Sequence, residues 1–369
     1  MSFLKCKPSV FVINDEYEIL VYCKKKGIIW VDIDGESYYE SNSGVLSSEK
    51  KYAKIRVKQS VLDKAKSYTV CYRETIDRKA YFSEIGDTLS KVFKFKPLLK
   101  NKNINIYHVA DVHYCFDDGV KCASYFGRKL DLLVVNGDIG EVETDKNYFE
   151  VIKFVGDVAK GEIPVIFVRG NHDTRGKLAE DFCKYFPNND NKTYFTFSVG
   201  SLSGIVLDCG EDKHDNHKEY GGGYNGEAVY NGVNIFEKFR REETEFIKNA
   251  KLDDNKIKFA ISHIIPIYTS YKAGSIFDIE RDLYSEWNDL LEKMGIRFML
   301  CGHMHKAFIL NPNDGTAFIN HNYPIVVGSA ANYTPNGLWG AAIVLNKNTM
   351  NVKFTDKEHK VQQEFDINI

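Results

Sequence analysis

Ile104-Asn-Ile-Tyr-His-Val-Ala-Asp-Val-His113 decides the fold. Its run from Ile104 to Ala110 is largely apolar, too short for a stable helix, and closes on a carboxylate and an imidazole two residues apart. A short apolar run of this kind is the pattern of a strand buried between helical layers. Moving outward, the same grammar recurs. Leu132 to Val135 leads into Gly137-Asp138, and Val165 to Val168 into Gly170-Asn-His-Asp173. Ile205 to Leu207 follows, then Ile257 to Ile261 before Ser262-His263-Ile-Ile-Pro266, and Phe298 to Leu300 before Gly302-His-Met-His305. Helices are predicted between them at 145–159, 177–186, 237–250 and 278–294. In the last, Ile279, Leu283, Trp287, Leu290, Leu291 and Met294 share one face. The pattern is that of an α/β domain with strands sandwiched between helices.

The chain before about Pro97 speaks differently. Val10 to Ile13, Tyr17 to Cys23, Ile28 to Ile33, Tyr52 to Val57, Ser67 to Arg73 and Val92 to Phe95 are short, rich in β-branched and aromatic residues, and separated by turns such as Asp34-Gly35. They predict an all-β sandwich of immunoglobulin-like size. Lys94 to Lys102 then reads as a last strand and a polar linker. The expected division is 1–98 and 99–369, as suits a chain of 369 residues. After His305 the pattern returns to β at Ala317 to Ile319, Pro324 to Val327, Ala341 to Leu345 and Val352 to Phe354.

Charge and composition narrow the function. Apolar residues are 43% and charged residues 27%, which excludes a largely disordered chain. The formal net charge of −2 gives no global drive toward nucleic acid or anionic membrane. Residues 1–100 nonetheless carry 19 Lys/Arg against 13 Asp/Glu, a bias read first as solvated faces of opposite sign, with domain docking or an anion-facing surface as the alternatives. The N-terminus lacks a signal-peptide pattern and no apolar run reaches the ~20 residues of a membrane helix. A cytoplasmic protein with no nucleic-acid or membrane partner is expected. The eight Cys form no CxxC pair and read as buried small apolar residues.

Each of the five motifs follows the C-terminal end of a strand, the edge where α/β sheets bind ligands. Side chains two apart on extended chain point the same way, so Asp111 and His113 address one locus, as do His303 and His305. Carboxylate, amide and imidazole donors without thiolate suit borderline divalent ions such as Mn, Fe or Zn, and do not suit a structural zinc cage.

The order DxH, GD, GNHD, SHxxP, GHxH resembles the calcineurin-like metallophosphoesterase superfamily, with every motif present between residues 111 and 305. The β-rich segment in front resembles the fibronectin-like domain preceding the purple acid phosphatases and some bacterial members. The resemblance implies a two-sheet αββα sandwich behind an all-β fibronectin-like one. It also implies two divalent metal ions, one held by Asp111, His113, Asp138 and His305, the other by Asp138, Asn171, His263 and His303. A metal-bridging hydroxide would attack the phosphorus of a phosphate ester, with His172 as general acid. Asp173 would orient His172 or a ligand. The purple enzymes carry an iron-binding Tyr three residues after the GD Asp, and their first motif lacks the His that stands here as His113. Glu141 stands at the Tyr position, so an uncoloured enzyme is expected.

Other residues invite weaker roles. Arg175 has a head suited to phosphate. The polar loop from Cys209 to Gly226 leaves the sheet at the motif edge and is read as governing substrate choice without touching metal assembly. Within it, Lys213 is a candidate for phosphate and Tyr220 or Tyr224 for stacking. His214 and His217 are candidates for substrate or an extra ion. Cys115, Cys301, His108, His321 and His359 read as structural. A cyclic-nucleotide or other phosphodiesterase, and a binding scaffold of the same fold without catalysis, remain open beside a monoesterase.

Overall fold

The structure is a computed structural model and describes residues 2–98, 103–141, 145–215, 234–267, 277–313, 315–329 and 337–369. The N-terminal part runs β1 (Ser9–Ile13), β2 (Glu16–Tyr22), β3 (Gly27–Ile33), β4 (Glu36–Tyr39), β5 (Ser41–Asn42), β6 (Val45–Leu46), β7 (Tyr52–Lys58), α1 (Gln59–Ala65), β8 (Ser67–Asp77), β9 (Glu84–Ile85) and β10 (Leu89–Lys94). The α/β part begins with β11 (Ile104–Val109), α2 (Phe116–Ala123), β12 (Leu132–Asn136), α3 (Asp145–Ala159), β13 (Pro164–Val168) and α4 (Phe182–Tyr185). It continues through β14 (Phe195–Val199), β15 (Leu202–Leu207), α5 (Phe236–Asn249), β16 (Ile257–Ser262), α6 (Arg281–Lys293), β17 (Phe298–Cys301) and β18 (Phe308–Leu310). The chain closes with β19 (Ile325–Val327), β20 (Gly340–Leu345), β21 (Thr349–Thr355) and β22 (Val361–Asn368).

Two large sheets face each other. The first has the order β22-β21-β20-β11-β12-β13-β1-β2-β7, the second β14-β15-β16-β17-β19-β18. Strands β11, β12 and β13 are parallel, and so are β15, β16, β17 and β19. The period-2 alternation of strand side chains sorts the core into layers. Ile104, Ile106, Leu132 and Val134 point inward and join Val206, Phe259, Ile261 and Leu300 of the second sheet. Their neighbours Tyr107, Val109, Leu133 and Val135 point outward onto Val151, Phe154 and Val155 of α3. On the far side, Ile205, Ala260 and Met299 pack against Ile247 of α5 and Leu283, Trp287 and Leu291 of α6. The result is the expected α/β/β/α order with a β-rich region in front.

That β-rich region is not walled off. Strand β1 pairs in parallel with β13, Val10 opposite Pro164 and Phe11 opposite Val165, and β2 and β7 extend the same sheet. Strands β3, β4, β8, β9 and β10 form a separate sheet, in the order β10-β8-β3-β4 with β9 on β8, and β5 pairs with β6 apart from both. Polar ties add to the junction. Lys54 donates to the carbonyls of Cys183 and Phe186, and Lys96 pairs with Asp131 at 2.8 Å. The 98/99 division therefore separates two sequence grammars that share one sheet and one core. Residues 99–369 expressed alone would expose the β13 edge and the inner face below it. We expect such a chain to yield no cooperatively melting monomer, measured by size-exclusion chromatography and thermal unfolding. A stable monomer would show that the two parts fold independently.

Local differences have simple causes. The helix expected at 177–186 is a 3-10 turn at Ala179–Asp181 followed by the one-turn α4. Ala317 to Ile319 is a bend rather than a strand. Both stretches are too short for periodicity to carry the assignment. Among described residues, no helix is long and apolar enough to cross a membrane.

Candidate metal centre

The site forms where the C-terminal ends of both sheets meet. Asp111 and His113 follow β11, Asp138 follows β12, and Asn171 and His172 follow β13. His263 follows β16, and His303 and His305 follow β17. The turns are crowded. A Cβ on Gly137 would lie 2.6 Å from the ring of His263, and one on Gly170 would lie 2.1 Å from Asp138 Oδ1. Asp111, His113, Asp138, His303 and His305 all hold positive φ, between 43° and 68°. Such backbone costs ~1–3 kcal/mol per residue and clusters at functional sites. Here it aims the side chains of the loops at one centre.

Two groups of ligand atoms result, each within 4.8 Å of one another: Asp111, His113 and His305, and beside them Asp138, His263 and His303. Within the first, His113 Nε2 and His305 Nε2 are 3.0 Å apart, and Asp111 Oδ1 is 3.4 Å from His305 Nε2. Within the second, His263 Nε2 lies 3.1 Å from Asp138 Oδ2 and also 3.8 Å from Asp111 Oδ1, which links the groups. The Asn171 amide sits at the second group, within hydrogen-bond distance of His303 Nδ1 and of Asp138 Oδ2. These oxygen and imidazole donors, without thiolate, are of the kind that suits borderline divalent ions.

Further groups hold these donors in place. His263 Nδ1 lies 2.6 Å from the carbonyl of Asn136, which leaves Nε2 for the centre. The Asn136 amide reaches His108 at 3.1 Å and the carbonyls of Ser262 and Leu300, stitching the two sheets together. His108 is thus structural, and burial pulls its pKa down to about 3. Burial alone would raise Asp138, but the positive charge of His263 outweighs it and holds the carboxyl well below the usual range. Burial opposes protonation of His263 too, yet Asp138 carries its pKa up to about 10. Asp173 Oδ2 accepts from the backbone N–H of Gly170 at 2.7 Å and of Asp138 at 3.2 Å. It therefore fixes two ligand-bearing loops. Burial and the charge of Asp138 push it up to about 7.

His172 stands at the edge of the centre. Its N–H donates to Asp138 Oδ1 at 2.8 Å, and its ring lies 5.0 Å from that of His113. The Arg175 guanidinium overhangs it, Nη1 3.3 Å from His172 Nε2. Burial, helped by Arg175 and opposed by Asp138, lowers His172 to about 4. Arg175 is itself gripped by the buried Glu211, Nε to Oε1 at 2.7 Å and Nη2 to Oε2 at 2.9 Å. Glu141 is exposed and close to His113 and His172, with ligand atoms within 4.8 Å of theirs.

The loop after β15 brings residues that motif reasoning missed. Asp212 Oδ2 lies 3.3 Å from His303 Nε2, and Glu211 grips Arg175. These contacts bring the first turn of the loop up to the candidate centre. Nothing in a polar, Gly-rich stretch marks those two carboxylates from their solvated neighbours. Lys213 donates to Asp212 Oδ1 at 2.6 Å, so its amine is engaged beside the centre. His214 lies 3.0 Å from Glu237, at the surface. Tyr220, Tyr224 and His217 lie outside the described residues. Cys115 and Cys301 form no disulfide among the described residues, and Cys301 is fully buried. His321 is tied to the carbonyl of Tyr323, and His359 bonds Ser124 and the carbonyl of Lys121, both away from the motif loops.

The family model of the calcineurin-like phosphoesterases matches residues 104–307, over half of the chain, and the chain belongs to that family. A purple acid phosphatase isolated from yellow lupin (Lupinus luteus) seeds is similar in fold, with 10% identity, a TM-score of 0.60, and coverage of 98% of this chain and 74% of that one. PhoD is likewise similar, with 10% identity, a TM-score of 0.56, and 98% and 88% covered. No curated protein sequence matches. Family membership supports a metal-dependent phosphoester hydrolase, and the described residues offer His and Asp groups able to hold metal.

Proposed function

We propose that the chain hydrolyses phosphate esters with Asp111, His113, Asp138 and His305 holding one divalent ion, Asp138, Asn171, His263 and His303 holding the other, and His172 protonating the leaving oxygen. The observation that carries this reading is the pair of adjoining ligand groups at the meeting edge of the two sheets. Ions bound there supply positive charge to the phosphoryl oxygens and make water a better nucleophile. The chain's own residues do the rest. Asp138 is fully buried beside His263, and its carboxylate would be shared by the two ions. His172 is partly exposed, with Nε2 4.0 Å from Asp138 Oδ2, and would give its proton to the leaving oxygen. Arg175, held by Glu211 over His172, is placed to meet a phosphate oxygen.

The substrate test is a comparison of para-nitrophenyl phosphate with its bis ester on the Mn-loaded protein. Turnover of either supports the reading and sorts monoester from diester preference. A loaded protein inert toward both and toward a broad ester panel would favour the binding scaffold. Because Glu141 stands three residues after Asp138, we also expect no visible tyrosinate-to-iron absorption from the purified protein. An intense visible band that bleaches on mild reduction would contradict this.

A further inference from the structure

The segment from Asp208 to Lys213 is anchored from below. Arg240 of α5, fully buried, donates through Nη1 to the carbonyl of Cys209 at 2.8 Å and of Glu211 at 3.3 Å, while its Nε pairs with Glu280. Asp208 is clamped by Arg169 at 2.8 Å and by the Thr193 hydroxyl, and it accepts from the Gly210 N–H at 2.8 Å. Two consecutive carboxylates leave this rigid base for different partners. Glu211, 1% exposed, takes Arg175 with both oxygens and the Thr174 hydroxyl at 3.3 Å. Asp212 meets His303 at Nε2, while Nδ1 of the same ring faces Asn171.

We propose that these neighbours serve the two halves of the site separately: Asp212 is a positioning residue for His303, Glu211 a positioning residue for Arg175, and Arg240 the anchor of both. A carboxylate on the far nitrogen of a ligating imidazole fixes its tautomer and ring orientation, and losing one costs ~10–100-fold in metal affinity. A guanidinium gripped at two nitrogens loses little further freedom on meeting an oxyanion. The Asp212 half rests on the two-ion reading above, because it requires His303 to hold an ion.

The test uses the full chain, stripped of metal and titrated calorimetrically with Mn, and separately inhibited with inorganic phosphate. Asp212→Asn should weaken one of two Mn sites by ~10–100-fold and spare the other, and Asp212→Glu should recover part of the loss. Glu211→Gln should leave both Mn affinities unchanged and weaken phosphate inhibition about tenfold or more, on the scale of a charge-assisted hydrogen-bonded pair. Arg240→Gln should show both defects. If it fails to fold, the two loop variants still decide. Parent protein binding two Mn with Asp212→Asn unaltered, or the two loop variants sharing one profile, would overturn the proposal. Parent protein binding fewer than two Mn would instead overturn the two-ion reading.

Discussion

Asp138→Asn should reduce turnover by ~10³-fold or more and abolish retention of at least one ion. The carboxylate is buried, is 3.1 Å from His263 and accepts the N–H of His172 at 2.8 Å. Asn keeps the shape and removes the charge that both proposed ions share. A loss of ~4 kcal/mol of transition-state stabilisation corresponds to that factor, within what a Lewis-acid centre supplies. The same substitution has a signature in the ion-free protein. His263 moves from 6.5 to about 10 because Asp138 stands beside it. A raised folded-state pKa gives stability that is complete below the unfolded value and lost as pH rises through the folded one. Ion-free parent should therefore lose thermal stability between about pH 6.5 and 10, and Asp138→Asn should shorten that decline from its high-pH end. Unaltered turnover with two ions still bound would remove Asp138 from the bridging role.

His172→Asn should leave metal content intact and slow turnover of poor leaving groups by ~10²–10⁴-fold, the range of general-acid catalysis. The penalty should shrink for para-nitrophenolate, which departs with little protonation. An equal loss on both substrate types would exclude the acid role. The pH dependence gives an independent check. With His172 lowered to about 4 by burial and by Arg175, the protonated ring is the minority form at neutral pH, and turnover of poor leaving groups should fall as pH rises. Arg175→Gln removes one of those depressing influences, so the falling limb should move to higher pH. A limb that stays in place would uncouple the two residues.

The proposed ligands were legible because each motif is local. An apolar strand, a turn that admits positive φ and a donor within three residues are written side by side in the chain. Layering was legible for the same reason, since α3, α5 and α6 carry strong helical periodicity. The sharing of one sheet by β1, β2 and β7 was not. Val10 to Ile13 reads the same whether its partner is a sandwich strand or β13, because alternation fixes a strand's faces and not its neighbour. Helix α2 escaped notice because Gly119 sits in its middle, where glycine costs ~1 kcal/mol relative to Ala. Strand β22 escaped because an exposed edge strand carries little apolar pattern. Glu211 and Asp212 were hidden for a third reason. Their roles arise from contacts with Arg175 and His303, 36 and 91 positions away in sequence number, and no local pattern encodes such a meeting.

The most direct test of the two-ion account is to titrate metal-stripped protein with Mn while following turnover of para-nitrophenyl phosphate and of its bis ester alongside bound metal per chain. Two ions per chain, with turnover of at least one ester emerging only as the second loads, is the predicted result. Full turnover in the stripped protein, or saturation of activity at a single ion, would contradict it.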